Sequence, residues 1–135
     1  MTSPSLMKLE ESLCLLLQQE FPNGIITPTH PKKKNEIDQE EFILVINYVS
    51  DSFEGSAITD VILHPTFSFT VYAQDYPRTR QFSESAIAFL DTLSGLSFDW
   101  DTQKIDVVHR KSRTPVMFDS DSGLYLASVD YFFNL

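Results

Sequence analysis

The last twelve residues, Leu-Tyr-Leu-Ala-Ser-Val-Asp-Tyr-Phe-Phe-Asn-Leu, constrain the fold more than any other stretch. Aromatic and apolar residues alternate with smaller or polar ones. Tyr125, Ala127, Val129, Tyr131 and Phe133 therefore share one face of a long strand. The sequence is expected to finish inside its own sheet, tied down rather than trailing as a polar tail.

Working back from that strand, the pattern alternates between two periods. A leucine stripe (Leu6, Leu9, Leu13, Leu16, Leu17) predicts a helix over about 5–20, with Ser3 as its cap, Pro4 in the first turn and Phe21-Pro22-Asn23-Gly24 as its stop. Ile25, Ile26 and Thr27 suit a short strand. A polar loop then runs over 28–41 and carries Lys32-Lys33-Lys34 and four acids. Residues 42–49 are β-formers, apolar on both faces, and predict a central strand covered on both sides. A turn is expected over 51–56. A second long strand follows over 61–73, with Phe67, Phe69, Val71 and Ala73 on one face; Pro65 within it marks a bulge, an edge or a break.

Asp75-Tyr76-Pro77 leads into a second helix expected over 79–94. Its buried stripe is Phe82, Ala86, Phe89, Leu90 and Leu93, and Gly95 would cap it. A strand over 104–111 is expected to continue through 114–118, and Asp119-Ser120-Asp121-Ser122-Gly123 is a hairpin turn into the closing strand. The order helix, strands, helix, strands predicts an α+β domain spanning 1–135, with two helices packed on a mainly antiparallel β-sheet.

Composition bounds the chemistry. The chain has 135 residues, 42% of them hydrophobic and 11 of them Phe, enough apolar area for one core. A net charge of −9 disfavours a nucleic-acid reader or a binder of anionic membranes, both of which need a basic footprint. Cys14 is the only cysteine, which excludes an internal disulfide and the common cysteine-rich zinc sites. On the apolar side of its helix it reads as a small hydrophobe, and the expected compartment is the reducing cytoplasm. The apolar run 13–17 is too short for a secretory signal, and no stretch reaches the roughly 20 apolar residues of a membrane helix.

No residue set assembles a recognisable active centre. His30, His64 and His109 lack metal-ligand spacing, no serine sits in a nucleophile elbow, and four glycines do not make a phosphate-cradling loop. Asp119-x-Asp121-x-Gly123 opens like a calcium loop, but its fifth, sixth and twelfth positions (Gly123, Leu124, Asp130) depart from that pattern. Neither a catalytic residue nor a cofactor or metal is therefore expected. Trp100, between Asp99 and Asp101, reads as a lid on the core or as an interface anchor. Lys32, Lys33 and Lys34 read as a solvated loop or as a basic spot for an acidic subunit or a phosphate backbone. Arg78, Arg80, Arg110, Lys111 and Arg113 fall near element ends, where cations on an acidic chain suit a head-to-tail contact.

The plan as a whole resembles the tail terminator proteins of long-tailed bacteriophages and a related family of small tail-completion proteins. The resembling segments are LEESLCLLLQQEFP, the polar loop, FILVINYV, FSFTVYAQD, AIAFLDTLSGL and GLYLASVDYFFNL, covering nearly the whole chain. The likeness lies in order, length and patterning. It implies a non-enzymatic virion protein that forms a six-fold ring, caps the tail tube, ends its polymerisation and offers a joint to the head-completion or connector protein. Tube protein and sheath protein are the implied neighbours, with genome DNA passing through unbound. The residues alone leave open a small acidic cytoplasmic adaptor gripping one protein, or a small enzyme whose site forms across subunits.

Overall fold

The leucine stripe of the first segment becomes helix α1 (Leu6–Glu20), which buries Leu13 and Leu17 completely and leaves Leu16 and Cys14 half-buried against the same core. The computed structural model describes residues 6–27, 42–54, 62–93 and 107–134. The Ser3–Pro4 cap, the loop over 28–41, the start of the strand expected from 104 and the Gly95 cap lie outside them. At the end of α1 the chain turns back on itself. Gln18 Nε2 donates to the carbonyls of Phe21 (3.2 Å) and Gly24 (3.0 Å), satisfying acceptors that a helix end leaves open. Burial, together with the negative charges of Glu10 and Glu11, pushes the Cys14 thiol up from its ordinary range and makes it a poor nucleophile.

The strands are β1 (Ile25–Thr27), β2 (Ile43–Glu54), β3 (Ile62–Ala73), β4 (Val107–Arg113), β5 (Met117–Asp119) and β6 (Leu124–Asn134), with helix α2 (Tyr76–Leu90) between β3 and β4. They form one sheet in the order β1-β2-β3-β6-β4, with β5 also paired to β6. Only β1–β2 is parallel; every other pair is antiparallel. The fold is α+β, with two helices and a mainly antiparallel six-stranded sheet.

Both helices bury their stripes on one face of the sheet. There Leu44, Ile46, Phe67, Phe69, Val71, Val129, Tyr131 and Phe133 meet Leu13 and Leu17 of α1 and Ala86, Ile87 and Leu90 of α2. The period-2 reading of β3 and β6 puts Phe67, Phe69, Val71, Ala73, Ala127, Val129, Tyr131 and Phe133 in the interior, while Tyr125 at the start of β6 is only half-buried. On the other face a smaller cluster joins Ile43, Val45 and Leu124. Thr70 and Ser128 pair there through their hydroxyls at 2.8 Å.

Some expectations need correction. The strand predicted over 42–49 continues to Glu54, so residues 51–54 are ladder and not turn; Ser50, Asp51 and Ser52 pair with Thr66, Pro65 and His64. Polar side chains there do not disrupt pairing, because the ladder uses backbone groups. The expected double cover holds over 42–46, where β2 lies between β1 and β3 and every residue is buried; beyond Ile46 it exposes Asn47 and Val49, while β3 and β6 occupy the middle of the sheet. Helix α2 starts three residues earlier than expected because Asp75 caps it. Its Oδ1 accepts from the Arg78 N–H at 2.8 Å, and Pro77 sits in the first turn. The same helix closes at Leu90, with Asp91 as C-cap, and Leu93 stays buried just past it. The strand expected to run on through 114–118 instead breaks at 114–116 and resumes as β5. Thr114 bridges the break, its N–H donating to the Ser128 carbonyl (2.8 Å) while its Oγ1 accepts from the Ser128 N–H (2.9 Å).

Pro65 lies at an edge, one of the readings the sequence offered: it stays in register with Asp51 of β2 but falls beyond the β6 ladder, and the nearby bulge is on β2. The β2–β3 register shifts at Val49, opposite the step from Thr66 to Phe67, and β6 pairing reaches only as far as Thr66. The 119–123 segment is a hairpin turn. Asp119 Oδ1 accepts from the Asp121 N–H and Oδ2 from the Ser122 hydroxyl, while Gly123 takes the positive φ of 77° that closes it.

Tyr131 fixes the end of α2 to the sheet. Fully buried in its ring, it lies with its hydroxyl 2.6 Å from Asp91 Oδ1, to which it donates, and 3.3 Å from the Ile87 carbonyl. Burial first, and then the Asp91 carboxylate, hold the phenol well above its ordinary value of 10.0. The raised folded value means its contribution is complete below pH 10 and is lost as pH climbs beyond it. Tyr72 and Cys14, also shifted upward, act in the same direction. Thermal melts from neutral pH to about pH 11 are expected to show an alkaline loss of stability. Tyr131→Phe is expected to lower the neutral plateau by about 1.5–3 kcal/mol and to flatten that loss. Parallel curves for the two proteins would show that the Tyr131 hydroxyl carries no alkaline sensitivity.

Candidate functional site

The candidate residues singled out in the sequence divide into two groups. Lys32, Lys33, Lys34 and Trp100 lie outside the described residues. The arginines all fall on α2 and β4. Arg78 belongs to the α2 cap, with Nε 3.7 Å from Asp75 Oδ2. Arg110 reaches from β4 to the end of α2, with Nη1 3.9 Å from Asp91 Oδ2, so Tyr131, Asp91 and Arg110 form one chain of contacts. Arg113 donates through Nη2 to Glu84 Oε1 on α2. These exposed pairs each contribute at most about 1 kcal/mol, so orientation is their main effect.

Arg110 and Arg113 both face α2 because of an irregularity. Three residues apart in a regular strand, they would point to opposite faces. The register shift between Arg110 and Ser112 leaves Lys111 as the extra residue, so Arg110 pairs with Tyr131 and Arg113 with Val129, both core-facing positions.

Between α2 and the β4–β5 link lies a cleft of about 260 Å³. Tyr76, Arg80, Ser83 and Glu84 line one wall, Arg113 to Val116 the other, and Ala127 the floor. The structure thus brings Arg80 and Arg113 together at one site, while Arg78 and Arg110 stand outside it. A second hollow follows the outer side of β4 from Arg110 to Arg113. Ser83 is only 5% exposed. Tyr76, Met117 and Phe118 are large hydrophobics left exposed beside the cleft or on the strand leading away from it. Phe118 is held edge-on to Tyr125 at 5.2 Å.

The electrostatics of the cleft are set by its arginines. The hydrogen bond from Arg113, aided by the nearby charges of Arg113, Arg80 and Arg110, holds the Glu84 carboxyl below the usual carboxylate range. It is therefore ionised at neutral pH and unsuited to donating a proton there. Two guanidiniums against one carboxylate leave the cleft net positive. Its volume lies below that of pockets for drug-sized ligands and fits one or two side chains. Among the described residues no group of three His, Cys, Asp or Glu could hold a metal ion, and no helix is long and apolar enough to cross a membrane.

Sequence reading picked out the arginines but missed Ser83, Glu84 and the exposed Met117–Phe118 edge. The available signal was Arg80 and Glu84 at i,i+4 on one helix face. No protein-family model matches the sequence, and no curated protein matches it.

Proposed function

We propose that the protein is a structural subunit that works by shape, closing head-to-tail into a ring in the manner of the phage tail terminators its plan resembles. In that role it caps a tail tube, stops tube growth and presents a face to the head-completion protein, and its place is the neck of a virion. The observation that carries the reading is the charge and apolar pattern of one sheet edge. On a chain of net charge −9, the β4–β5 edge gathers Arg110, Lys111 and Arg113 with Met117 and Phe118, all exposed, beside Arg80. A ring requires two different patches that fit each other, and a local cationic-apolar edge on an acidic body supplies one of the pair. The acidic remainder suits a channel through which DNA slides without sticking.

The side-chain-sized cleft also favours a second reading, an adaptor that seats one partner's side chain. Particle mass separates the two. The purified chain, alone and mixed with polymerised tail tube protein, is expected to give closed rings, hexamers by the resemblance, and capped tube ends in electron micrographs. A strictly monomeric or dimeric protein that leaves tube ends bare would defeat the ring reading and leave the adaptor.

A further inference from the structure

We propose that the junction between neighbouring copies seats the outer face of α1 of one copy in the Arg80–Arg113 cleft of the next. This rests on the ring reading above and names the two patches. The cleft side offers two guanidiniums, the buried Ser83 hydroxyl and the apolar side chains of Tyr76, Pro115 and Val116. Its complement is an acidic patch with an exposed apolar side chain at its centre. On α1, Leu15 is 61% exposed, and the exposed Glu11 lies one turn before it on the same helical face. Glu10 adds a second, half-buried acid on the same helix.

Position favours this pairing too. Helix α1 packs beside β1, at one end of the strand order, while the cleft borders β4 and β5 at the other. Patches on opposite sides of a domain are what a heterologous contact uses, and it propagates until it closes. Direct strand addition along β4 is the less suitable mode, since its bulge at Lys111 and its exposed cations are features that blunt an edge. Docking through side chains is left, with Leu15 against the apolar side chains of the cleft and the acids of α1 facing the guanidiniums.

The test is a mixing experiment with two full-length variants. Leu15→Glu spoils the α1 side, and Arg80→Glu spoils the cleft side. Both positions are exposed, so each variant is expected to melt within a few degrees of wild type. Each alone is expected to self-associate about 30-fold more weakly than wild type or worse. Mixed in equal amounts, they keep one intact junction per pair, an unmodified α1 against an unmodified cleft, and are expected to form a heterodimer that grows no further. Rings formed by either variant at wild-type strength would overturn this junction and leave the ring reading standing. Folded variants that fail singly and do not pair on mixing would overturn it as well. A wild-type chain that stays monomeric both alone and on tail tubes would overturn the ring reading and the junction with it.

Discussion

Phe69→Asp is expected to leave no folded protein in water at 25 °C. Phe69 lies in β3, inside the sheet, paired in register with Ile46 on one side and Val129 on the other. It is 1% exposed, and its ring meets Tyr131 edge-on at 5.9 Å and Phe133 at 6.4 Å. Removing the ring alone costs about 3–5 kcal/mol through lost burial and an unfilled cavity. The new carboxylate would have to be buried without a cation, or protonated, at a further cost of several kcal/mol. Domains of this size have only about 5–15 kcal/mol in hand. Phe69→Leu is the control; it keeps an apolar group of nearly the same volume and is expected to fold with a modestly lower midpoint. Far-ultraviolet circular dichroism and thermal melts of both variants decide the matter. A cooperative, near-wild-type transition for the Asp variant would show that this face of β3 does not meet the core as described.

The success of that residue-level reading has a physical source. In β3 and β6 the core face is set by strict alternation, and a one-residue slip would place Ser68 and Thr70, or Ser128 and Asp130, in the interior. Sequence alone therefore identifies Phe69, Val129 and Tyr131 as core. Where polar residues need not be buried, the same logic gives no signal. Ser50, Asp51 and Ser52 resemble a turn, yet their backbones pair normally. The Asp75 cap is legible in principle, because Asp followed two residues later by Pro is a helix start. The cleft was less legible. Arg113 meets Glu84 across 29 residues, and Arg110 faces Asp91 only because Lys111 is bulged out. Sequence could place those arginines at element ends. It could not predict a one-residue register shift that turns two of them toward the same helix.

A second large effect is expected where the turn after α1 meets the start of β2. Phe42 is 2% exposed, its ring stacked on Phe82 at 4.3 Å and edge-on to Phe21 at 5.6 Å. Phe21 is in turn edge-on to Phe89 of α2 at 6.2 Å. This aromatic group joins the end of α1 to α2, and Phe42→Ala is expected to lower stability by about 3–5 kcal/mol. Gly24 is buried against the same ring; a methyl group on it would lie 2.7 Å from Phe42 Cζ and 2.9 Å from Cε1. The ring tip cannot retreat cheaply, because Phe82 and Phe21 hold it. Gly24→Ala is thus expected to cost about 1–3 kcal/mol from overpacking. The two substitutions should not add. With Phe42 truncated, the Gly24→Ala methyl enters vacated space, so the double variant is expected to be more stable than the sum of the single effects by about 1–3 kcal/mol. Urea unfolding of the four proteins measures this coupling. Strict additivity would mean that the strain of Gly24→Ala lies in its own backbone, and that Phe42 is not the wall against which the turn after α1 is closed.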